Sequence, residues 1–199
     1  MAKIAVDVVI LLSDEMTGLA IQANRELIQP SGGKITLNND TCLPHISLAM
    51  GCIDEENIGR IEPILRETAN ESFPRELKVV GVYTGTSDTG GKVSLYHIEK
   101  TRTLQQLHEN VMSNLSPYLT YDVRADMLLR PPEVEESTLA WIKNFPQQSS
   151  FAKFVPHITI GFGQANALDF PITFAPAKLA LCHLANHCTC RKILVSVGI

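Results

Sequence analysis

An eight-residue pattern occurs twice in this chain of 199 residues, and it restricts the possible folds more than any other feature. Residues 44–51 read PHISLAMG and residues 156–163 read PHITIGFG, so the two histidines, His45 and His157, lie 112 positions apart (157 minus 45). In an extended strand, successive side chains point to opposite faces. The histidine and the hydroxyl residue of each copy therefore share one face, and the apolar residues take the other. The repeat predicts two related strands, each with an apolar face toward a core.

The polar faces of the two octets define the candidate functional residues, which are His45, Ser47, His157 and Thr159. A single His-x-Ser on a strand is typical of a satisfied polar residue near a core. Two ordered copies favour a functional interpretation, because a purely architectural repeat has no need for histidine twice. Two such strands facing one another would line a cleft with two imidazoles and two hydroxyls.

Composition is that of an ordinary globular protein, with 45% hydrophobic and 19% charged residues. The length favours a single domain over residues 1–199, built from two similar lobes. The net charge of −4 disfavours a long nucleic acid as partner but admits a nucleotide or an RNA end. Residues 1–15 contain a short apolar run interrupted by Asp7, which fits neither a signal peptide nor a membrane span. We therefore expect a cytoplasmic, monomeric protein that does not bind membranes.

The patterning along the chain predicts alternating strands and helices. Helices are expected from a cap at Asp14 to about Leu27, from Asp54 with a kink or break at Pro63, from Thr103 to before Pro117, and from a cap at Ser137 to Phe145. Strands are expected at residues 4–12, at both octets, at 77–84 and 92–98, and in a C-terminal hairpin from Lys178 to Val197. These elements predict an α+β fold with two related, mostly antiparallel sheets, each contributing one octet.

Two imidazoles and two hydroxyls suit the hydrolysis of a phosphodiester. That reaction needs a base for the nucleophile, an acid for the leaving oxygen, and donors for the phosphoryl oxygens. Because histidine has a pKa of about 6.5, one ring can accept a proton near neutrality while the other donates one. The hydroxyls of Ser47 and Thr159 can donate hydrogen bonds to the non-bridging oxygens. This chemistry requires no metal and no cofactor.

The two octets resemble the paired His-x-Ser/Thr-x signatures of the 2H phosphoesterase superfamily, which comprises the LigT-like or 2′-5′ RNA ligase family and its cyclic phosphodiesterase relatives. The resemblance implies a bilobal α+β fold with pseudo-twofold symmetry and an active-site cleft between the lobes. It makes His45 and His157 the catalytic pair, and Ser47 and Thr159 the phosphate ligands. For hydrolysis of a 2′,3′-cyclic phosphate, we assign His157 as the base for water and His45 as the acid for the 3′ oxygen. The reverse reaction, ligation, exchanges these roles.

One departure from the family pattern concerns the residues after the second motif. Many bacterial RNA-ligase-type members have an arginine there, whereas residues 160–164 of this chain read IGFGQ. The departure favours small cyclic phosphates or oligonucleotide ends as substrates over RNA ligation. Ligation and a non-catalytic nucleotide-binding or RNA-end-binding module stay open as alternatives, although a binder has no need for both imidazoles. Cyclic-phosphate RNA ends, 2′-5′ oligoadenylates and cyclic phosphates from ADP-ribose breakdown all fit such a cleft.

The C-terminal hairpin holds five potential zinc ligands within residues 182–190. Structural zinc usually takes paired ligands from two places in the chain, and here they crowd one hairpin. Small buried thiols and a turn histidine are the simpler interpretation. Some side chains could stack a base or contact a phosphate, but core packing or a solvated charge explains each of them better, and none is assigned to the site; they are Phe162, Phe154, Tyr83, Tyr96, Lys153 and Arg130.

Overall fold

The computed structural model describes residues 2–28, 33–86, 91–129, 134–166 and 168–198. Its elements, in chain order, are β1 (Lys3–Leu12), α1 (Asp14–Leu27), β2 (His45–Asp54), α2 (Ile58–Ser72), β3 (Leu77–Thr86), β4 (Lys92–Ile98), α3 (Arg102–Leu115), α4 (Glu136–Gln148), β5 (His157–Phe162), β6 (Ile172–Phe174), β7 (Pro176–Ala185) and β8 (Thr189–Val197). The α+β prediction is confirmed. Among the described residues, no helix is both long enough and apolar enough to cross a membrane.

The eight strands form one antiparallel sheet in the order β6-β3-β4-β5-β2-β1-β7-β8. The two octet strands, β2 and β5, lie at its centre. They share one Cα pair in the described residues, Ile46 with Ile158, which hold the same position in the two octets. The two expected sheets are thus four-stranded halves that meet at the octets. A twofold axis between two antiparallel strands pairs equivalent residues with each other. The Ile46–Ile158 pair is therefore consistent with a pseudo-twofold relation between the two halves.

The pseudo-twofold relation extends to the irregularities of the strands. The register of β2 against β1 shifts between Ser47 and Ala49, and the register of β5 against β4 shifts between Thr159 and Gly161. The skipped residue occupies the same octet position in both halves. A bulge bends its strand and redirects the neighbouring side chains. Each half therefore presents its hydroxyl residue immediately before an equivalent bulge.

Helix α1 shows how local sequence and tertiary contacts position the second octet. The predicted cap at Asp14 is wrong by one residue: the Ser13 hydroxyl accepts the Met16 N–H at 3.4 Å, and Asp14 lies in the first turn. Near the end of α1, the buried Asn24 side chain donates to the carbonyls of Ile160 (2.7 Å) and Ile35 (3.0 Å). The Asn24 amide thus fixes β5 to α1 and to the segment that precedes the first octet.

Helices α2 and α4 also differ from their predictions. Helix α2 begins at Ile58 after a short 3₁₀ turn and continues through Pro63 to Ser72, so Pro63 does not divide it. The buried Ile61 and Leu65 on either side keep this helix packed against the core although Pro63 lacks an N–H. The predicted Ser137 cap is also wrong. Helix α4 begins at Glu136, because Asn186 Oδ1 accepts the Glu135 N–H at 3.1 Å and so holds the helix start in place.

Candidate active site

The structure brings the four predicted residues, His45, Ser47, His157 and Thr159, into the lining of one cavity of about 310 Å³. Each half of the sheet contributes one histidine and one hydroxyl. They meet because β2 and β5 are neighbours at the centre of the sheet. A cavity of this size accommodates a small nucleotide-sized ligand.

The two histidines are held in the same way. His45 Nδ1 lies 2.7 Å from the Leu43 carbonyl oxygen, and His157 Nδ1 lies 2.8 Å from the Val155 carbonyl oxygen. A carbonyl oxygen can only accept, so Nδ1 of each ring carries the hydrogen and donates. In the neutral ring, Nε2 is then left with a free lone pair. Each octet therefore orients an imidazole through the residue two positions before it, with Nε2 available for proton transfer.

Burial favours the neutral form of both imidazoles in the free protein. It lowers the pKa of His45 to about 4, although the hydrogen bond to Leu43 opposes the shift, and the nearby His157 lowers it further. Burial also lowers the pKa of His157, opposed by the bond to Val155 and assisted by His97. A phosphate anion between the rings would favour their protonated forms. The state with one neutral and one charged ring is thus promoted by an anionic ligand.

The two hydroxyls have different surroundings. Ser47 Oγ lies 2.6 Å from Oδ2 of Asp7, a fully buried residue of β1 whose Oδ2 is also 3.9 Å from His45 Nε2. The Thr159 hydroxyl forms no hydrogen bond with the residues that the structure describes. In the sequence, Asp7 stands out only as an interruption of an apolar run. The signal that could have revealed it is that same position, since an acid in the middle of a buried strand needs a polar partner.

One wall of the cavity is aromatic. Phe162 and Trp141 line it, and Trp141 is 43% exposed. The Lys34 Nζ lies 5.2 Å from the centroid of the Phe162 ring, and His187 packs edge-on against the same ring at 5.3 Å. Phe162 was considered as a stacking residue from the sequence, but Trp141 was not. Trp141 lies on α4, where it resembles an ordinary amphipathic helix residue.

The other residues considered for substrate contact lie elsewhere. Phe154 and Tyr96 are buried in the core, and Tyr83 is exposed outside the cavity lining. Lys153 Nζ donates to the Gln147 carbonyl at 2.6 Å. Arg130 lies outside the described residues.

Lys34, Glu135 and His187 form an ion-paired group next to the Phe162 ring. Lys34 Nζ lies 2.7 Å from Glu135 Oε1, and His187 Nδ1 lies 3.7 Å from Glu135 Oε2. Glu135 and His187 line the cavity. Hydrogen bonding to Lys34 is the main cause that lowers the pKa of Glu135. The carboxylate at this edge of the cavity is therefore neutralised by a cation.

Potential metal ligands converge at one place among the described residues. Ligand atoms of Asp7, His45 and Cys190 lie within 4.8 Å of one another. The C-terminal hairpin contributes only Cys190 to this group, and His183 Nε2 is turned to the Met127 carbonyl at 3.0 Å. Structural zinc takes four ligands at roughly 2.0–2.3 Å. The three ligand atoms that converge among the described residues are one short of that closed four-ligand arrangement.

His108 is a structural histidine of helix α3. Its Nδ1 lies 2.8 Å from the Leu48 carbonyl oxygen in the first octet, and its Nε2 accepts the Phe151 N–H at 2.7 Å. Its ring stacks on Phe154 with a centroid separation of 4.1 Å. Both nitrogens are thus occupied, which supports the octet backbone and leaves no free site for proton transfer.

Comparison with known proteins agrees with the fold and the motifs. The structure is similar to TT0787 of Thermus thermophilus, with a TM-score of 0.62 and 13% identity over 98% of this chain and 97% of that chain. It is also similar to E. coli LigT complexed with NADP+, with a TM-score of 0.56 and 16% identity over 100% of this chain and 99% of that chain. E. coli LigT complexed with 3′-AMP gives 0.55 and 15% over the same shares. No curated protein sequence matches the chain.

The sequence itself identifies the family. A family model for the 2′-5′ RNA ligase superfamily matches residues 41–179, a segment that contains both octets and therefore the four residues predicted from them, His45, Ser47, His157 and Thr159. The segment covers more than half of the chain and includes both central strands. The chain therefore belongs to the 2′-5′ RNA ligase superfamily, the 2H phosphoesterases.

Proposed function

We propose that this protein is a metal-independent phosphodiesterase that hydrolyses a 2′,3′-cyclic phosphate or a 2′-5′ phosphodiester of a nucleotide or an RNA end. The main support is the matched pair of imidazoles. His45 and His157 each donate through Nδ1 to a backbone carbonyl, which leaves a free lone pair on Nε2 of the neutral ring, and both residues line one cavity. A fold or a simple binding site does not require this duplication, whereas acid-base chemistry on a phosphodiester does.

The proposed reaction on a cyclic phosphate is a single displacement. His157 Nε2 accepts a proton from water while the water oxygen forms a bond to phosphorus. The bond from phosphorus to the 3′ oxygen breaks, and protonated His45 gives its Nε2 proton to that oxygen. The product carries a 2′-phosphate and a 3′-hydroxyl, and proton exchange between the rings and solvent restores the starting state. Ser47 and Thr159 donate to the two non-bridging oxygens, where charge is greatest.

The activity is tested with a panel of substrates in the presence of EDTA. The panel contains the four nucleoside 2′,3′-cyclic phosphates, a 2′-5′-linked adenosine dinucleotide and a cyclic phosphate of ADP-ribose. We expect turnover of at least one of them at the same rate with and without the chelator, because the two rings supply both proton transfers. Chromatography of the products against 2′- and 3′-phosphate standards identifies the oxygen that leaves. Loss of activity in EDTA, restored by added metal, would contradict the metal-independent mechanism.

The pH dependence is expected to be bell-shaped, because turnover needs one neutral and one protonated ring. Burial lowers the pKa of both rings in the free protein, that of His45 to about 4. The plot of kcat/KM, which reports the free protein, should therefore reach its maximum below the ordinary histidine pKa of about 6.5 and fall as pH rises. The plot of kcat should lie at higher pH, because the bound anion raises both pKa values. A single sigmoid for kcat/KM would indicate that only one group titrates.

A further inference from the structure

Asp7 is a buried acid that the proposed reaction leaves unused. It lies in the middle of β1 with no exposed surface. Its Oδ2 is 2.6 Å from Ser47 Oγ, and its Oδ1 has no hydrogen-bond partner in the part of the chain that the structure describes. An ionised carboxylate in this position would carry a large desolvation cost for an oxygen that nothing satisfies. A neutral carboxyl group would not.

The second half of the sheet shows that the fold does not need an acid at this position. Asp7 pairs with Met50 across β1 and β2. The residue equivalent to Met50 in the second octet is Phe162, and it pairs with Val93 of β4. A valine therefore fills the equivalent position beside the other octet. The acid distinguishes the half that carries Ser47.

The protonation state of Asp7 decides what Ser47 can do. A hydroxyl has one hydrogen to donate and two lone pairs to accept with. An ionised Asp7 can only accept, so it would consume the hydrogen of Ser47 and turn a lone pair toward any phosphate oxygen. A protonated Asp7 can donate to Ser47 Oγ, which leaves the serine hydrogen free for the phosphate.

The groups around Asp7 favour the protonated form. Those that titrate are His45 from β2, Cys182 from β7, and Cys188 and Cys190 from the turn and the start of β8. Burial raises the pKa of the Cys188 and Cys190 thiols and lowers that of His45, so none of these three supplies a positive charge. Burial is the largest effect and raises the pKa of Asp7, although the nearby Ser47 hydroxyl and Ala49 backbone act in the opposite direction.

We propose that Asp7 is a positioning residue that donates a hydrogen bond from its neutral carboxyl group to Ser47 Oγ and so directs the Ser47 hydroxyl hydrogen toward a phosphate oxygen in the cavity. This inference rests on the proposed function, since it needs a phosphate between the two octets. Asp7 itself lies behind Ser47 and acts through it. Thr159, which has no such partner among the described residues, orients by contact with the ligand alone.

The inference is tested by double-mutant cycles read on ligand affinity and on turnover. The variants are Asp7→Val, which copies Val93, together with Ser47→Ala, Thr159→Ala and the two double variants that combine Asp7→Val with each alanine. The affinity for adenosine 2′-monophosphate is measured by calorimetry, and kcat/KM is measured with the best cyclic phosphate. We expect Asp7→Val to weaken binding and to lower kcat/KM by about tenfold. Without Asp7, the Ser47 hydroxyl is no longer oriented to donate its hydrogen bond to the charged phosphate.

The two cycles should behave differently. Asp7→Val should have no further effect once Ser47→Ala is present, whereas its effect should multiply with that of Thr159→Ala. The Asp7→Asn variant tests the direction of the bond, because its amide N–H can donate to Ser47 Oγ at every pH. It should stay within about threefold of the wild type in both measurements, and thermal unfolding checks that each variant folds.

Three outcomes would overturn the inference. If the losses of affinity and of kcat/KM caused by Asp7→Val and by Ser47→Ala multiply in the double variant, Asp7 does not act through Ser47. An Asp7→Asn variant as impaired as Asp7→Val would show that donation by residue 7 is not what matters. Absence of binding to the wild type would remove the phosphate that the inference requires. If the wild type binds but turns over nothing in the panel, the proposed function fails, and the affinity cycle still decides the role of Asp7.

Discussion

Replacement of either His45 or His157 by alanine is expected to lower kcat for a nucleoside 2′,3′-cyclic phosphate by about 10²–10⁴-fold, the range of general acid-base catalysis. Each ring carries out one of the two proton transfers, and the other ring cannot reach both oxygens of an in-line displacement. The rate is measured by chromatographic separation of substrate and product. Because each imidazole packs into a partly buried site, thermal unfolding must show that the variants remain folded.

His97 provides a matched control for both variants. It lies on β4 as the register partner of His157 on the neighbouring strand β5, and it is exposed. His97→Ala removes an imidazole from the neighbourhood of the cavity without removing a proposed catalytic group. We expect its kcat to stay within about threefold of the wild type, with a small effect through the pKa of His157. Near-normal turnover by folded His45→Ala or His157→Ala would contradict the two-histidine mechanism.

A substrate with a good leaving group is expected to separate the acid from the base. The test compound is a nucleoside p-nitrophenyl phosphodiester, whose nitrophenolate departs without needing a proton. If His45 is the acid, His45→Ala should lose about tenfold or less on this compound. His157→Ala should still lose about 10²–10⁴-fold, because water needs a base in either case. Release of nitrophenolate is followed by absorbance.

The control for this comparison is the cyclic phosphate, on which both variants should be impaired. The opposite pattern, with His157→Ala rescued by the good leaving group, would exchange the assigned roles. Equal impairment of both variants on both substrates would show that proton donation to the leaving oxygen does not limit the rate. Each ring is held by a carbonyl oxygen two residues before it, at 2.7 Å for His45 and 2.8 Å for His157. Because this geometry does not distinguish the acid from the base, the two roles are assigned by reactivity.

The repeat allowed the sequence to predict the four polar residues, their shared face and the α+β class. Side-chain alternation within a strand is local, so it can be read from neighbouring letters. The contact between Asp7 and Ser47 spans 40 positions, and no local pattern specifies which strand becomes the neighbour of an octet. Asp7 was therefore overlooked, although its place in an apolar run marked it as unusual.

The misplaced boundaries have a similar origin. Strand β6, with only three residues, is too short to show alternation and forms because β3 offers it an edge. The start of α4 depends on Asn186, which lies 51 positions from the Glu135 N–H that it accepts. Pro63 was expected to kink or divide α2, but the buried residues around it outweigh its local effect and the helix does not divide. In each case a tertiary contact overrides a local preference.

Strands β2 and β5 share a single Cα pair in the described residues, so the two imidazoles belong to two halves of the sheet that are only briefly paired with each other. The separation of the rings is consequently set by the angle at which the halves meet, and neither half fixes it alone. Helix α1 contacts both β1 and β5, so it contributes to that angle. A substitution outside the cavity lining, such as one at Asn24, can therefore change activity while both motifs stay intact. A ligand bound by both rings stabilises the junction in return.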